Sequence, residues 1–202
     1  MGICYLVGAG TFYGQITLCI GDIIIAADGG YDSLVRHGYT PDVIIGDFDS
    51  VRAKIPEGIR TVFHPKEKDE TDMMLAYSEG VRLGYTEFVM LGATGGRLDH
   101  TYANLSLLLY AKERGHNVTV IDGGGVIICL KDESVTLAGN AGENFSVFAI
   151  GGAANGVTIA GSKYEVTDVT LTPSFPIGVS NEFTGNDVRI SVGEGALLVI
   201  AQ

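Results

Sequence analysis

The sequence predicts an α/β domain with a mostly parallel sheet flanked by helices, followed by a small antiparallel β-sandwich domain. Two patterns carry this reading. Over residues 1–130, short continuous apolar runs alternate with helical periodicity, as in a parallel sheet buried on both faces. Over residues 131–202, the helical period disappears and short alternating stretches follow one another between Gly, Asn and Pro, as in antiparallel strands with one face in a core. A chain of 202 residues is long enough for one sizeable core or two small ones.

Taken in order, residues 5–7, 23–27 and 43–45 are the first three strands, the second and third rich in β-branched side chains. Met73, Ala76, Tyr77, Gly80 and Val81 recur at i, i+3, i+4, i+7 and i+8, which predicts a helix with Gly84 as its stop. Residues 88–91 form a fourth strand. Leu98, Tyr102, Leu105 and Leu109 form a second helical stripe ending near Gly115, and residues 118–121 form a fifth strand. After Asp122-Gly123-Gly124-Gly125 and one more apolar run at 126–130 come the alternating stretches at 145–148, 157–159, 188–192 and 197–200. Periodicity therefore divides the chain into an α/β domain over 1–130 and a β domain over 131–202.

Composition excludes several functions. With 46% hydrophobic and 18% charged residues the chain is not disordered, and no apolar run approaches the roughly 20 residues that cross a bilayer. Thirteen Lys and Arg against 24 Asp and Glu give a net charge of −11, which repels nucleic acid and polyphosphates unless a metal or local amides intervene. Cys4, Cys19 and Cys129 lie in apolar runs without a C-x-x-C, which predicts reduced core thiols in a cytoplasmic protein and no zinc site. No basic region precedes a long apolar stretch at the N-terminus, so no targeting signal is expected.

Three polar clusters follow predicted strands: Asp28-Gly29-Gly30, Gly46-Asp47-Phe48-Asp49-Ser50, and the glycine-rich run from Gly92 to His100. In an open parallel sheet all strands present their carboxyl ends at one edge, where ligands bind, so the clusters converge. Asp69-Glu70-Thr71-Asp72 opens the first clear helix near the same edge. Asp47 and Asp49 flank Phe48, so extended backbone would aim both carboxylates one way and the phenyl ring into the core. Two or three such carboxylates suit Mg²⁺, a hard cation that also accepts substrate phosphates.

Each cluster also has an ordinary explanation. Asp and Ser favour turns, Asp69 can cap the helix while Asp72 complements its dipole, and lysines such as Lys66 and Lys68 are commonly solvated. Amides of the Gly92 to Gly96 loop could receive phosphate oxygens, with Arg97 as a planar cation. Asp99 and His100 are catalytic or first-turn polar residues, and the structural role is favoured for His100. No Gly-Lys dipeptide is present, which excludes a standard P-loop. A dinucleotide reading competes, because Gly8-Ala9-Gly10 follows the first strand with Asp28 twenty residues after Gly8; Gly14 comes one residue late for G-x-G-x-x-G.

Together, ADGG at 27–30, GDFDS at 46–50, KDETD at 68–72 and GATGGRLDHTYANL at 92–105 closely resemble the thiamine pyrophosphokinase family in order and spacing. The resemblance implies transfer of a pyrophosphoryl group from ATP to the hydroxyl of thiamine, giving thiamine diphosphate and AMP, in a homodimer. It implies Asp47, Asp49 and Asp72 as Mg²⁺ ligands, and Arg97 and Asp99 as further catalytic residues. Asp28, Gly29, Gly30, Lys68, Asp69, Thr94, Gly95, Gly96 and Arg97 would surround the nucleotide. In the β domain Ser162-Lys163-Tyr164 and Val179-Ser180-Asn181-Glu182 are similar to segments that line the thiamine pocket, with Tyr164, Ser180 and Asn181 as contacts. An NAD-binding oxidoreductase and a nucleotide-binding module without turnover are the alternatives.

Overall fold

The computed structural model describes every residue except Met1 and Lys68. Two compact units emerge, residues 1–111 with 115–123, and residues 112–114 with 124–202.

The first unit runs β1 (Cys4–Val7), β2 (Ile23–Ala27), α1 (Gly30–Arg36), β3 (Val43–Gly46), β4 (Arg60–Phe63), α2 (Asp72–Arg82), β5 (Glu87–Leu91), α3 (Leu98–Lys112) and β6 (Asn117–Asp122). Its strands lie in the order β6-β5-β1-β2-β3-β4, with every neighbouring pair parallel. The chain winds outward from β1 to β4 and then returns to build β5 and β6 on the other side. The reversal beside β1 opens a crevice at the carboxyl ends. All four residues of β1 and of β3 are buried, which accounts for their unbroken apolar runs.

Two elements are absent from the periodicity. Strand β4 is an edge strand whose residues are mostly exposed, so it carries no apolar run, and α1 has only seven residues. Helix α2 buries Met73, Ala76, Tyr77 and Gly80 as its stripe predicts. Its cap is Thr71, whose Oγ1 accepts from Met74 N at 3.1 Å, and not Asp69.

Helix α3 turns a different face inward from the one its stripe predicts. Asn104, Leu107, Leu108 and Ala111 are buried, while Leu98 is 82% and Tyr102 74% exposed. Apolar residues lie on both faces of this helix, so period alone cannot select one. Asn104 marks the inner face: its Nδ2 donates to Ala93 O at 2.7 Å. The thiols divide as well, with Cys4 and Cys129 buried and Cys19 exposed in the segment before β2.

The second unit contains β7 (Gly125–Lys131), β8 (Ser134–Leu137), β9 (Asn144–Ala149), β10 (Ala154–Ala160), β11 (Val166–Leu171), β12 (Asn181–Glu182), β13 (Val188–Ser191) and β14 (Ala196–Ala201). Strands β12-β9-β14-β7 are antiparallel, as are β11-β10-β13-β8. One core draws Phe145, Leu197 and Val199 from the first set and Val157, Val188 and Ile190 from the second, which makes a sandwich. The unit starts before residue 131 because β7 pairs with β14 along its length, from Lys131 opposite Ala196 to Val126 opposite Ala201.

A buried charge fastens the edge of the parallel sheet. Glu79 of α2 is 7% exposed and meets Arg60 of β4 at 2.7 Å and Arg82 at 2.7 and 2.8 Å. The Arg82 guanidinium, aided by Arg60, holds the Glu79 carboxyl below its ordinary 4.5 against the opposing effect of burial. A carboxyl depressed on folding contributes stability above its unfolded pKa and loses it as pH falls through the folded value. Glu79→Gln should therefore cost about 1–2 kcal/mol at pH 7, and the difference from the parent should shrink as pH falls below about 4. Urea denaturation at the two pH values checks this; an equal difference at both would contradict it.

Candidate active site

Strands β2 and β3 deliver their terminal residues to one spot. After β2, Asp28 takes a left-handed conformation, φ 44°, which Asp tolerates better than most residues, and its N–H donates to Ile45 O at 2.8 Å. Beside it β3 ends in Gly46, where a Cβ would press on the Asp28 Cβ and Cα at 3.0 and 3.2 Å. Glycine thus lets the two strand ends close together.

The next residues turn instead of continuing extended. Phe48 is left-handed, φ 62°, and Asp49 N donates to Asp47 Oδ1 at 3.0 Å. The expected alternation about Phe48 is therefore wrong in its geometry: an Asx turn, not a strand, brings Asp47 and Asp49 together. Phe48 still packs inward, with its ring 6.2 Å from that of Phe63.

Carboxylate oxygens of Asp28, Asp47 and Asp49 all lie within 4.8 Å of one another. Asp28 Oδ2 accepts from Ser50 Oγ, while its Oδ1 is buried and has no partner. Burial pushes the Asp28 carboxyl up, Asp72 and Asp47 push it further, and Ser50 and the Gly29 amide oppose them. Lys66 Nζ meets Asp49 Oδ2 at 2.6 Å. An oxygen-only donor set of like charge, with one buried lone-pair site unmet, fits a hard divalent cation.

The cluster forms one side of a cleft of about 530 Å³, which Asp72 at the start of α2 also lines. The other side is the loop after β5, held by the loop after β1. Gly8 N donates to Leu91 O, Gly10 N to Gly92 O and Thr11 N to Thr94 O, at 2.8–2.9 Å. A Cβ on Gly10 would collide with the Thr94 carbonyl oxygen. The glycines at 8 and 10 thus permit backbone to meet backbone, and no helix stands between β1 and β2 to receive a pyrophosphate. The glycine pattern of the dinucleotide alternative is thus accounted for by backbone packing.

Thr94, Gly96, Arg97, His100, Thr101 and Asn104 line this second side. His100, expected to be structural, is therefore at the cleft. Arg97 is largely exposed and grips Asp99 at 3.1 and 2.5 Å; with this guanidinium beside it the Asp99 carboxyl falls to about 2. Asp99 lies outside the lining, its carboxylate engaged by the Arg97 guanidinium. Gly29, Gly30, Gly95 and Asp69 are also outside the lining, and Lys68 lies outside the described residues.

In the second unit Asn181 is buried and fully engaged. Its Nδ2 donates to Ser162 Oγ and Tyr164 O at 3.1 and 2.8 Å, and its Oδ1 accepts from Tyr164 N at 3.1 Å and from Glu182 N at 2.8 Å. It fixes residues 162–164 against β12. Tyr164 itself is 60% exposed, with Lys163 Nζ 5.7 Å from its ring. Ser180 is left-handed, φ 57°, and its N–H donates to Ser146 Oγ. The sequence reading missed Asn104 and Asp122; the latter accepts from Thr94 Oγ1 at 2.6 Å. Its signal was available, since Asp122 ends an apolar strand as Asp28 does.

Residues 20–120 match the model of the thiamin pyrophosphokinase catalytic domain, and residues 128–197 that of the thiamin pyrophosphokinase vitamin B1 binding domain. Thiamin pyrophosphokinase 1 of Caenorhabditis elegans is 29% identical over 188 residues, covering 87% of this chain and 77% of that protein. Thiamine pyrophosphokinase of Bacillus subtilis is 25% identical over 182 residues, 87% and 85% of the two chains. The crystal structure of thiamin pyrophosphokinase from Geobacillus thermodenitrificans superposes with a TM-score of 0.85 at 26% identity, covering 99% and 97%. The Bacillus subtilis crystal structure shares the fold at a TM-score of 0.88 and 23% identity, covering 99% and 98%. With its strand-end carboxylates, glycine-rich loop and following sandwich all in the matched order, the chain belongs to the thiamin pyrophosphokinase family.

Proposed function

We propose that this chain transfers the pyrophosphoryl group of Mg-ATP to the hydroxyl of thiamine, releasing AMP and thiamine diphosphate. The observation that supports it most is the cluster of Asp28, Asp47 and Asp49 with the unpartnered Asp28 oxygen, in a cleft that also holds Asp72 and Arg97. Asp47, Asp49 and Asp72 would hold the Mg²⁺, with Asp28 completing the oxygen set. When bound there, the cation would supply neutralisation of phosphate charge.

The protein groups then position and screen. The Gly92 to Gly96 loop brings backbone close to the ligand, and Arg97, mounted just before α3, carries a planar cation for phosphate oxygens. Asp99 orients that guanidinium through its two-point contact. A loose transition state with little bonding to the attacking oxygen needs no strong base. The vitamin-binding part presents Tyr164 as a face for a cationic or aromatic ring, over the Asn181 lock. A homodimer belongs to the same reading, as does a cytoplasmic setting for a chain without disulfides among its cysteines.

Incubation of the pure protein with Mg-ATP and thiamine should yield AMP and thiamine diphosphate in equal amounts. ADP in place of AMP would contradict the reaction, and ATP binding without turnover would favour a nucleotide-binding module. Asp47→Ala should lower the rate roughly 10²- to 10⁴-fold through lost electrostatic stabilisation. Near-normal AMP formation by the folded variant at saturating Mg²⁺ would refute that role.

A further inference from the structure

We infer that Asp122 is a positioning residue that makes Thr94 a hydrogen-bond acceptor only, so that the Thr94 side chain takes a hydroxyl or amine of a substrate and not a phosphate oxygen. The inference rests on the reading of the cleft as a phosphoryl-transfer site.

Thr94 is 8% exposed and lines the cleft, whereas Asp122, at the end of β6, does not. Thr94 Oγ1 lies 2.6 Å from Asp122 Oδ1. A carboxylate has only lone pairs to offer and a hydroxyl has one proton, so Thr94 donates and Asp122 accepts. A hydrogen bond to a charged acceptor in a largely buried place is not readily given up. What remains of the Thr94 side chain for a ligand is its lone pairs and its methyl group. Phosphate oxygens are acceptors and find no donor there.

The topology agrees. Thr94 follows β5 and Asp28 follows β2, with β1 between them. At a spacing of about 4.8 Å per strand, those strands lie roughly 10 Å apart, and β3 roughly 14 Å from β5. Phosphates drawn to a cation at the carboxylates leave the donor-bearing end of a substrate to reach Thr94. Thr94 O is committed too, to Thr11 N at 2.8 Å, and Asn104 holds the preceding carbonyl at 2.7 Å. The wall is therefore fixed on three sides before a ligand arrives.

Steady-state kinetics of the parent, Thr94→Val, Thr94→Ser, Asp122→Ala and the Asp122→Ala/Thr94→Val pair test the inference. ATP and thiamine are varied in turn, and inorganic tripolyphosphate competes with ATP. Thr94→Val should raise KM for one substrate about 3- to 10-fold, the loss of one neutral hydrogen bond, with kcat and the tripolyphosphate Ki little changed. A rise for ATP places a nucleoside donor at Thr94, and a rise for thiamine places its amine or hydroxyl there. Thr94→Ser, which keeps the hydroxyl, should resemble the parent. Asp122→Ala frees that hydroxyl to turn away, so the substrate whose KM rises in Thr94→Val should lose affinity about 3- to 10-fold in Asp122→Ala as well, and the pair should be no worse than Thr94→Val alone.

Equal weakening of ATP and tripolyphosphate in Thr94→Val would overturn the inference. So would an Asp122→Ala effect that is the same with or without the Thr94 hydroxyl, the mark of a merely structural role. If the parent binds ATP but does not turn over, the proposed function fails, while calorimetric binding of ATP and tripolyphosphate to the same variants still decides the role of Asp122.

Discussion

Mutual repulsion among carboxylates that the backbone does not allow to separate is the constraint around which the first unit is built. Asp28 and Asp47 follow neighbouring parallel strands, whose ends register with each other at Ala27 opposite Ile45. Asp49 is folded back on Asp47 by the Asx turn. The backbone thus keeps all three at one place, Asp28 and Asp47 through the paired strand ends and Asp49 through the turn. Lys66 balances part of the charge from a solvated position, and Ser50 satisfies one Asp28 oxygen. The rest of the unit serves to keep this arrangement in place: Gly46 removes the Cβ that would part the strand ends, and the Glu79 ion pairs tie β4 to the helix that begins with Asp72.

The opposite wall follows a different logic. Its loop is shaped by backbone-to-backbone contact, for which Gly8 and Gly10 leave room, and by Asn104 and Asp122 at its flanks. One side of the cleft is thus acidic and poised for a cation; the other carries the Arg97 guanidinium, while its Thr94 and Asn104 side chains are already committed to hydrogen bonds within the wall. A substrate with a polyanionic end and a hydroxyl- or amine-bearing end matches that polarity.

Much of this was legible in the residues. Runs of Ile and Val at 23–27 and 43–45 indicate buried parallel strands, and the strand-end rule then places Asp28, Asp47 and Asp49 at one edge. The failures have physical causes. Strand β4 is exposed at the sheet edge and so has no apolar signature; α3 is apolar on more than one face, and the choice fell to a hydrogen bond of Asn104. Phe48 adopts a left-handed conformation that alternation could not foresee. Asp122 stands before three glycines where periodicity marks only a change of pattern, although its side chain accepts from Thr94 Oγ1. Asp99 and Asn181 occupy motif positions, yet their hydrogen bonds commit them to Arg97 and to the 162–164 segment. A motif shows that residues belong together, but hydrogen bonding decides which of them remains available to a ligand.

The net charge of −11, taken alone, argues against a polyphosphate ligand. On the proposed reading, the part of that charge gathered at one strand edge makes nucleotide binding conditional on a cation. Calorimetric titration of ATP into the protein, with Mg²⁺ present and then with the divalent cation chelated, tests that condition most directly. The account predicts that affinity falls by roughly tenfold or more on chelation and returns when Mg²⁺ is restored, since an uncompensated carboxylate cluster repels the triphosphate. Equal affinity in the two conditions would contradict it.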